Sequence, residues 1–247
     1  MFYKYYDELT WEEVEKLDKE KCCVLLPLSS IEQHGKHLPV GTDDYILRMC
    51  MEQLEEKENP SDITFLCLPI LGIGTSDEHM TFPGTISFSA TTYFAIINDI
   101  VTALAKHGFK KLVTVNGHGG NTSLLAGFSQ EMNLKHHVVV YNLEIPAIYN
   151  NCNCVESLKD IYVPVDIHAG DMETSMMLYK EKELVHMEKA VNVDVEFEPY
   201  FSGWLTRDFS ETGTLGRPLL ATEEKGKLLL DYITDTMAKI LVKIGKK

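Results

Sequence analysis

Lys111-Leu-Val-Thr-Val-Asn-Gly-His-Gly-Gly-Asn121 is the stretch on which the fold turns. Its opening residues, 111–115, form a short apolar, β-branched run suited to a strand buried on both faces. The run breaks at once into a glycine-rich turn, and residues 122–134 then read as a helix. A strand that passes through such a turn into a helix is the repeating unit of a parallel sheet.

The same alternation extends in both directions. Upstream, residues 22–28 and 63–70 read as buried strands, with an amphipathic helix over 44–57 between them. A helix over 90–106, ended by Gly108, leads into the central stretch. Thr10 caps a short helix over 11–18 that carries Glu12 and Glu13 in its first turn. Downstream come a strand over 138–143, a helix over 169–184, and a last helix capped by Thr222. Residues 146–166 fit no single pattern, and 188–220 read as loop and short strand. Residues 72–87, with several glycines and Pro83, form a long loop, and loops of that length usually have a function. This order predicts an α/β fold, a three-layer α/β/α sandwich with a mainly parallel central sheet. No repeat, linker or low-complexity tract interrupts it, so residues 1–247 are expected to form a single domain.

Composition narrows the function. Hydrophobic residues make up 45% of the 247, enough for a core that needs neither disulfide nor metal simply to fold. The net charge of −14 argues against nucleic acid or an anionic membrane as partner. No apolar run has the length of a membrane span, and the aromatic, acidic first twenty residues lack the pattern of a secretory signal. Cys22, Cys23 and Cys67 lie in apolar runs, and Cys152-x-Cys154 lacks the second pair of a zinc site. A cytoplasmic location is the simplest expectation.

Three clusters carry chemistry. In the first, Glu32 and His34 stand two apart in an extended stretch and can face one point. Asp43 follows a turn containing Pro39 and Gly41, and its two oxygens can bridge a pair of ions. Carboxylate with imidazole suits Zn, Mn or Fe. The competing reading is a polar loop that closes a strand. In the second, His118 sits at the strand exit, among glycines that let the backbone approach a ligand. A phosphate-cradling turn is the rival there, but the G-x-G-x-x-G register and the Walker lysine are missing. In the third, His168 precedes a helix whose first turns carry Glu173, followed by Met176 and Met177. A carboxylate entering an apolar face wants a partner, and a metal is one. Asp171 at the same helix start can simply favour the dipole. Ser76, Glu78 and His79 either bind substrate or hold the long loop. His107, His136, His137 and His186 read as surface residues.

Taken in order, these stretches resemble the creatininase (creatinine amidohydrolase) family. The resemblance rests on Ser30-Ile-Glu-Gln-His-Gly-Lys-His-Leu-Pro-Val-Gly-Thr-Asp43, residues 74–87, Val115-Asn-Gly-His-Gly-Gly-Asn121, His168-Ala-Gly-Asp-Met-Glu-Thr-Ser175 and residues 213–226. It implies a three-layer fold with a dinuclear metal centre, often in hexamers. Carried over by position, Glu32, Asp43 and His118 hold one divalent ion, while His34 and the shared Asp43 hold the second. Creatinine hydrolases add a glutamate to the second ion where this chain has Gly120, which leaves Glu173 as the available carboxylate. They also place a tryptophan before the His-Ala-Gly, and Ile161-Tyr-Val-Pro-Val-Asp166 has none. Both departures argue against creatinine itself.

The resemblance implies a metal-activated water cleaving a C–N bond, other than a peptide bond, in a small cyclic amide or formamide. His168 would donate a proton to the leaving nitrogen, and Ser76 with the Gly119 and Gly120 amides would hold the substrate. Relatives include formamidopyrimidine deformylases, peptidases that trim redox-peptide precursors, and hydrolases of keto-inositols. The alternatives are therefore a hydrolase of a cyclic ketone or lactone at the same site, or a non-catalytic metal-binding oligomer.

Overall fold

The computed structural model describes residues 1–152, 166–196 and 201–246. Cys154, residues 161–165 and part of the 188–220 loop lie outside the described residues. Five strands, all paired in parallel, form a sheet in the order β1-β3-β2-β4-β5. They are β1 (Lys4–Tyr5), β2 (Cys22–Leu28), β3 (Thr64–Cys67), β4 (Lys111–Asn116) and β5 (Val139–Glu144). Every residue of β2 is buried, as expected for a central strand covered on both faces. Its side chains alternate between two cores. Cys22, Val24, Leu26 and Leu28 join one, while Cys23 and Leu25 join the other.

Helices form the outer layers. α3 (Ala90–Lys106) and α4 (Thr122–His136) supply Tyr93, Ile97, Leu125 and Met132 to the first core. α2 (Thr42–Glu55), α6 (Asp171–Lys180) and α8 (Glu223–Gly245) supply the second, through Leu47, Met176 and Ile233 among others. Gly226 lets α8 lie directly against α6, since a Cβ there would fall 1.9 Å from the Ser175 carbonyl oxygen. Among the described residues, the remaining α-helices are the short α1 (Trp11–Lys16), α5 (Ile145–Asn150) and α7 (Thr206–Phe209).

Several boundaries depart from the sequence reading for local reasons. β3 ends at Cys67, ahead of Pro69, which has no N–H to continue a ladder. α6 starts at Asp171 and stops at Lys180, with a separate 3-10 turn over Lys182–Leu184. α2 begins at Thr42, so Asp43 belongs to its first turn and not to the preceding loop. β1 was not anticipated, because two residues carry no period and only its pairing with β3 defines it. In the unassigned stretch, Pro146 sits in the first turn of α5, where a missing N–H breaks no helical hydrogen bond.

The connections determine where a site can form. β2 is followed by α2 on one face, and its neighbour β4 is followed by α4 on the other. The crevice beyond the carboxyl ends of β2 and β4 is therefore the switch point of the sheet, the usual ligand position in such folds.

Candidate metal centre

The segments leaving β2 and β4 bring Glu32, His34 and His118 together at that crevice. α2 adds Asp43 from its first turn, and α6 adds Glu173 from its own. All five side chains are buried. Among the described residues, three sets of donor atoms are compact enough to hold an ion: Glu32 with Asp43 and His118, His34 with His168 and Glu173, and Glu32 with His79 and His168. His118 Nδ1 lies 2.9 Å from Asp43 Oδ2, and His34 Nε2 lies 3.2 Å from Asp43 Oδ1. Glu173 Oε2 is 3.9 Å from His34 Nε2, and Glu32 Oε2 is 3.3 Å from His118 Nε2.

Hydrogen bonds fix which nitrogen of each ring faces inward. His34 Nδ1–H donates to the Glu32 main-chain oxygen at 3.1 Å, and His118 Nε2–H donates to that of Thr75 at 2.8 Å. His168 Nε2–H donates to the Gln33 main-chain oxygen at 2.6 Å. In its neutral form, the form that ligates a metal, each ring turns a bare nitrogen toward the carboxylates. A backbone carbonyl on the outer N–H is the usual arrangement behind a metal-ligating histidine. His34 Nε2 and Asp43 Oδ2 are buried, close to opposing atoms, yet aligned for no hydrogen bond. Electron-rich atoms facing one another at such distances call for a cation, and a divalent metal fits this donor set.

The electrostatics agree. Burial alone would push the His34 and His118 imidazoles down, but Asp43, Glu32 and, at His34, Glu173 overcome it and hold both at about 10. Burial raises the Glu32 and Glu173 carboxyls to about 7, against the pull of the neighbouring histidines. Burial opposes ionisation of Asp43 too, yet His34 and His118 on either side hold it well below the usual carboxylate range. The pocket attracts positive charge, and in the metal-free chain protons supply it.

Surrounding residues hold the donors in place. Ala169, with a left-handed φ of 50°, directs its N–H to Glu173 Oε2 at 2.7 Å. Tyr149 OH donates to Glu173 Oε1 at 3.3 Å. Asp166 accepts from the Asp171 and Met172 N–H groups, both at 2.8 Å, and so caps α6. Asp171 itself is buried and pairs with Lys225 of α8 at 2.8 Å, a tie beyond the dipole role read from sequence. His37 Nε2 lies 2.9 Å from the Thr174 hydroxyl, joining the β2 loop to α6.

A cavity of about 820 Å³ opens onto the cluster, within the range of small-molecule sites. Its lining includes Glu32, Asp43, His118, His168, Glu173, Gly119 and Gly120, together with Tyr149 and Trp204. Ser76 is not part of that lining. It is fully buried and its hydroxyl contacts Ser30 and His118, so it braces the cluster from behind. Glu78 and His79 both line the cavity, and His79 is also held by Gln33 and Thr206. A side chain at Gly120 has no room, because a Cβ would lie 2.4 Å from His118 Nε2 and 2.6 Å from Glu78 Oε1. Sequence reasoning missed Gln33 although it sits inside the first motif, and missed Tyr149 because its segment showed no period.

A parallel α/β sheet with a buried carboxylate–imidazole donor set at its switch point defines a metal-dependent hydrolase. A family model described as creatinine amidohydrolase matches residues 7–241, and the chain belongs to the creatininase family. It is 27% identical over 252 residues to the creatinine amidohydrolase of Pseudomonas putida, covering 95% of this chain and 94% of that one. It is 29% identical over 226 residues to the mycofactocin precursor peptide peptidase of Mycobacterium ulcerans (strain Agy99), covering 88% and 84%. A crystal structure of creatinine amidohydrolase (creatininase) is similar with a TM-score of 0.79 at 25% identity, over 98% of each chain.

Proposed function

We propose that this chain hydrolyses the C–N bond of a small cyclic amide or formamide with the help of two divalent ions. Zn, Mn and Fe all suit the donors. Glu32, Asp43 and His118 would hold one ion, and His34, the shared Asp43 and Glu173 the other. When bound, such ions polarise a carbonyl and bring the pKa of a coordinated water toward neutrality. The observation that carries this reading is the pair of buried, unaligned atoms, His34 Nε2 and Asp43 Oδ2, at the centre of the donor set.

The chain's own groups divide the remaining work. Burial holds the His168 imidazole well below its ordinary pKa, so the ring rests neutral. His168 therefore has to accept a proton before it can pass one to the leaving nitrogen, which refines the donor role read from sequence. The Gly119 and Gly120 main chain lies on the cavity wall, free of side chains, and can contact the substrate. No lysine or arginine lines the cavity among the described residues, which favours a neutral substrate over one anchored by a carboxylate or phosphate.

Two broader expectations accompany this reading. A homo-oligomer, as a hexamer, follows from the family resemblance. Cys22, Cys23, Cys50 and Cys67 are buried free thiols, which supports a reducing compartment such as the cytoplasm. No helix among the described residues is long and apolar enough to cross a membrane.

The test is product analysis by mass spectrometry on lactams, aromatic formamides, a short peptide, a lactone and a keto-inositol. Each is incubated with metal-loaded and chelator-treated protein. Metal-dependent cleavage of a lactam or formamide is the expected result. Full activity in chelator with only trace metal bound, or turnover of the lactone or keto-inositol alone, would overturn the reading.

A further inference from the structure

Gln33 lies between two main-chain groups that leave its amide a single orientation. The Gly35 N–H donates to Oε1 at 2.9 Å, and Nε2 donates to the Gly213 carbonyl at 3.1 Å. Both glycines hold a left-handed φ, and a Cβ on Gly213 would fall 1.9 Å from Gln33 Oε1, so the backbone is shaped around this side chain. One Nε2 proton is thus engaged. The other faces two imidazoles whose centroids are 4.1 Å apart, with His79 Nδ1 at 2.9 Å and His168 Nε2 at 3.0 Å.

Only one of those nitrogens can accept. His168 Nε2 lies 2.6 Å from the Gln33 main-chain oxygen, a contact that requires an N–H between them. The remaining Gln33 proton therefore goes to His79 Nδ1, which must be bare. The Thr206 hydroxyl, 2.8 Å from the same nitrogen, has a single proton and also lies 3.0 Å from the Glu78 main-chain oxygen to which it donates, so the Gln33 amide is the group that decides the His79 tautomer. The proton of neutral His79 then sits on Nε2, 3.4 Å from Glu32 Oε1. His34, His118 and His168 each do the opposite, holding their proton outward on a carbonyl.

We propose that Gln33 is a positioning residue that makes His79 a proton-presenting imidazole within a cluster whose other rings present lone pairs. His79 thereby turns its N–H toward the Glu32 carboxylate, 3.4 Å away, and binds no ion. The grouping of Glu32, His79 and His168 is compact enough to hold an ion, but the orientation of Gln33 closes it to one. The inference rests on the metal reading above only for the role of Glu32 as a ligand.

The experiment is long-range ¹H–¹⁵N correlation NMR on zinc-loaded, ¹⁵N-histidine-labelled protein, with zinc content measured on the same sample. The His79 signals are identified by their loss in His79→Gln. The wild type should show the His79 proton on Nε2. Gln33→Glu places an acceptor opposite Nδ1, so the His79 proton should move to Nδ1 while His168 keeps its own on Nε2. Gln33→Met, which removes the donor and adds no acceptor, should give His79 a mixture of both forms. A wild-type His79 protonated on Nδ1, or one unchanged in both variants, overturns the proposal. The wild-type result needs no variant to fold. Absence of bound zinc would count against the metal reading alone, since the tautomers are read directly.

Discussion

Glu173→Gln changes one atom at the centre of the cluster and should move two measurements in opposite directions. The fold has room for glutamine. Its carbonyl oxygen can still accept from Ala169 N–H, and its NH₂ falls beside the Tyr149 hydroxyl, which can accept. In the metal-free protein, burial raises the Glu173 carboxyl from 4.5 to about 7. The sign follows directly. A raised carboxyl favours the protonated folded form, so its contribution is complete below pH 4.5 and is lost as pH climbs to 7. Above pH 7, wild type bears a cost of up to about 3 kcal/mol for the buried charge, and glutamine does not. Chelated Glu173→Gln should therefore unfold at higher denaturant than chelated wild type at pH 8.5, and at the same denaturant at pH 4.5. In metal-loaded protein the effect reverses. Loss of an outer partner alone weakens metal binding about 10- to 100-fold, so loss of the ligand charge should weaken the second ion by more than about 100-fold and spare the first. Urea titration of chelated samples and a cobalt absorption titration read the two effects. Two ions bound with wild-type affinity, or a metal-free variant less stable at pH 8.5, would refute the reasoning.

Three further outcomes are expected. In chelated protein His34 and His118, raised from 6.5 to about 10, contribute stability below pH 6.5 that is lost as pH rises toward 10. The unfolding free energy should fall across that window by about 1.4 kcal/mol per pH unit for each proton, read as a falling melting midpoint, and zinc should abolish most of the slope; a flat metal-free profile would count against it. Gly120→Ala, with its Cβ 2.4 Å from His118 Nε2 and 2.5 Å from the Thr75 carbonyl oxygen, should cost about 1–3 kcal/mol by overpacking and displace bound metal, read by denaturation and elemental analysis. Lys225→Met leaves the buried Asp171 without its 2.8 Å partner and should cost about 3 kcal/mol in denaturation, with Asp171→Asn in the same chain restoring most of it.

The layers and the ligand segments were legible because each depends on short-range pattern. Buried strands such as β2 show as unbroken apolar runs, and the turn after β4 announces itself through its glycines. Asp43, Glu173 and the histidines stand at chain positions where strands exit or helices begin, so their types and spacing sufficed to nominate them. What was not legible depends on distance in the chain. Gln33 meets Gly213 across 180 residues, and no local period encodes that pairing. Ser76 has the polarity of a substrate contact, yet its burial is set by how the long loop packs on His118. Tyr149 lies in a segment with no clear periodicity, and its hydroxyl acquires meaning only when α6 docks beside it.

The spread of the donors along the chain also bears on how the protein assembles. Glu32, Asp43 and His118 all precede α4, on the segments leaving β2 and β4 and on α2, which can associate before the C-terminal third is made. Glu173 lies beyond, on a helix held by α8 through Gly226 and the Asp171–Lys225 pair. On the proposed two-ion reading, one ion would be captured by a partly folded chain, whereas the second site would be complete only after α6 and α8 have seated. A second ion, bound as proposed, would act as a clasp between the early and late parts of the molecule, stabilising the closed arrangement by mass action. On gradual chelation the clasp should open first, and amide exchange in α6 and α8 should quicken before the sheet itself loosens.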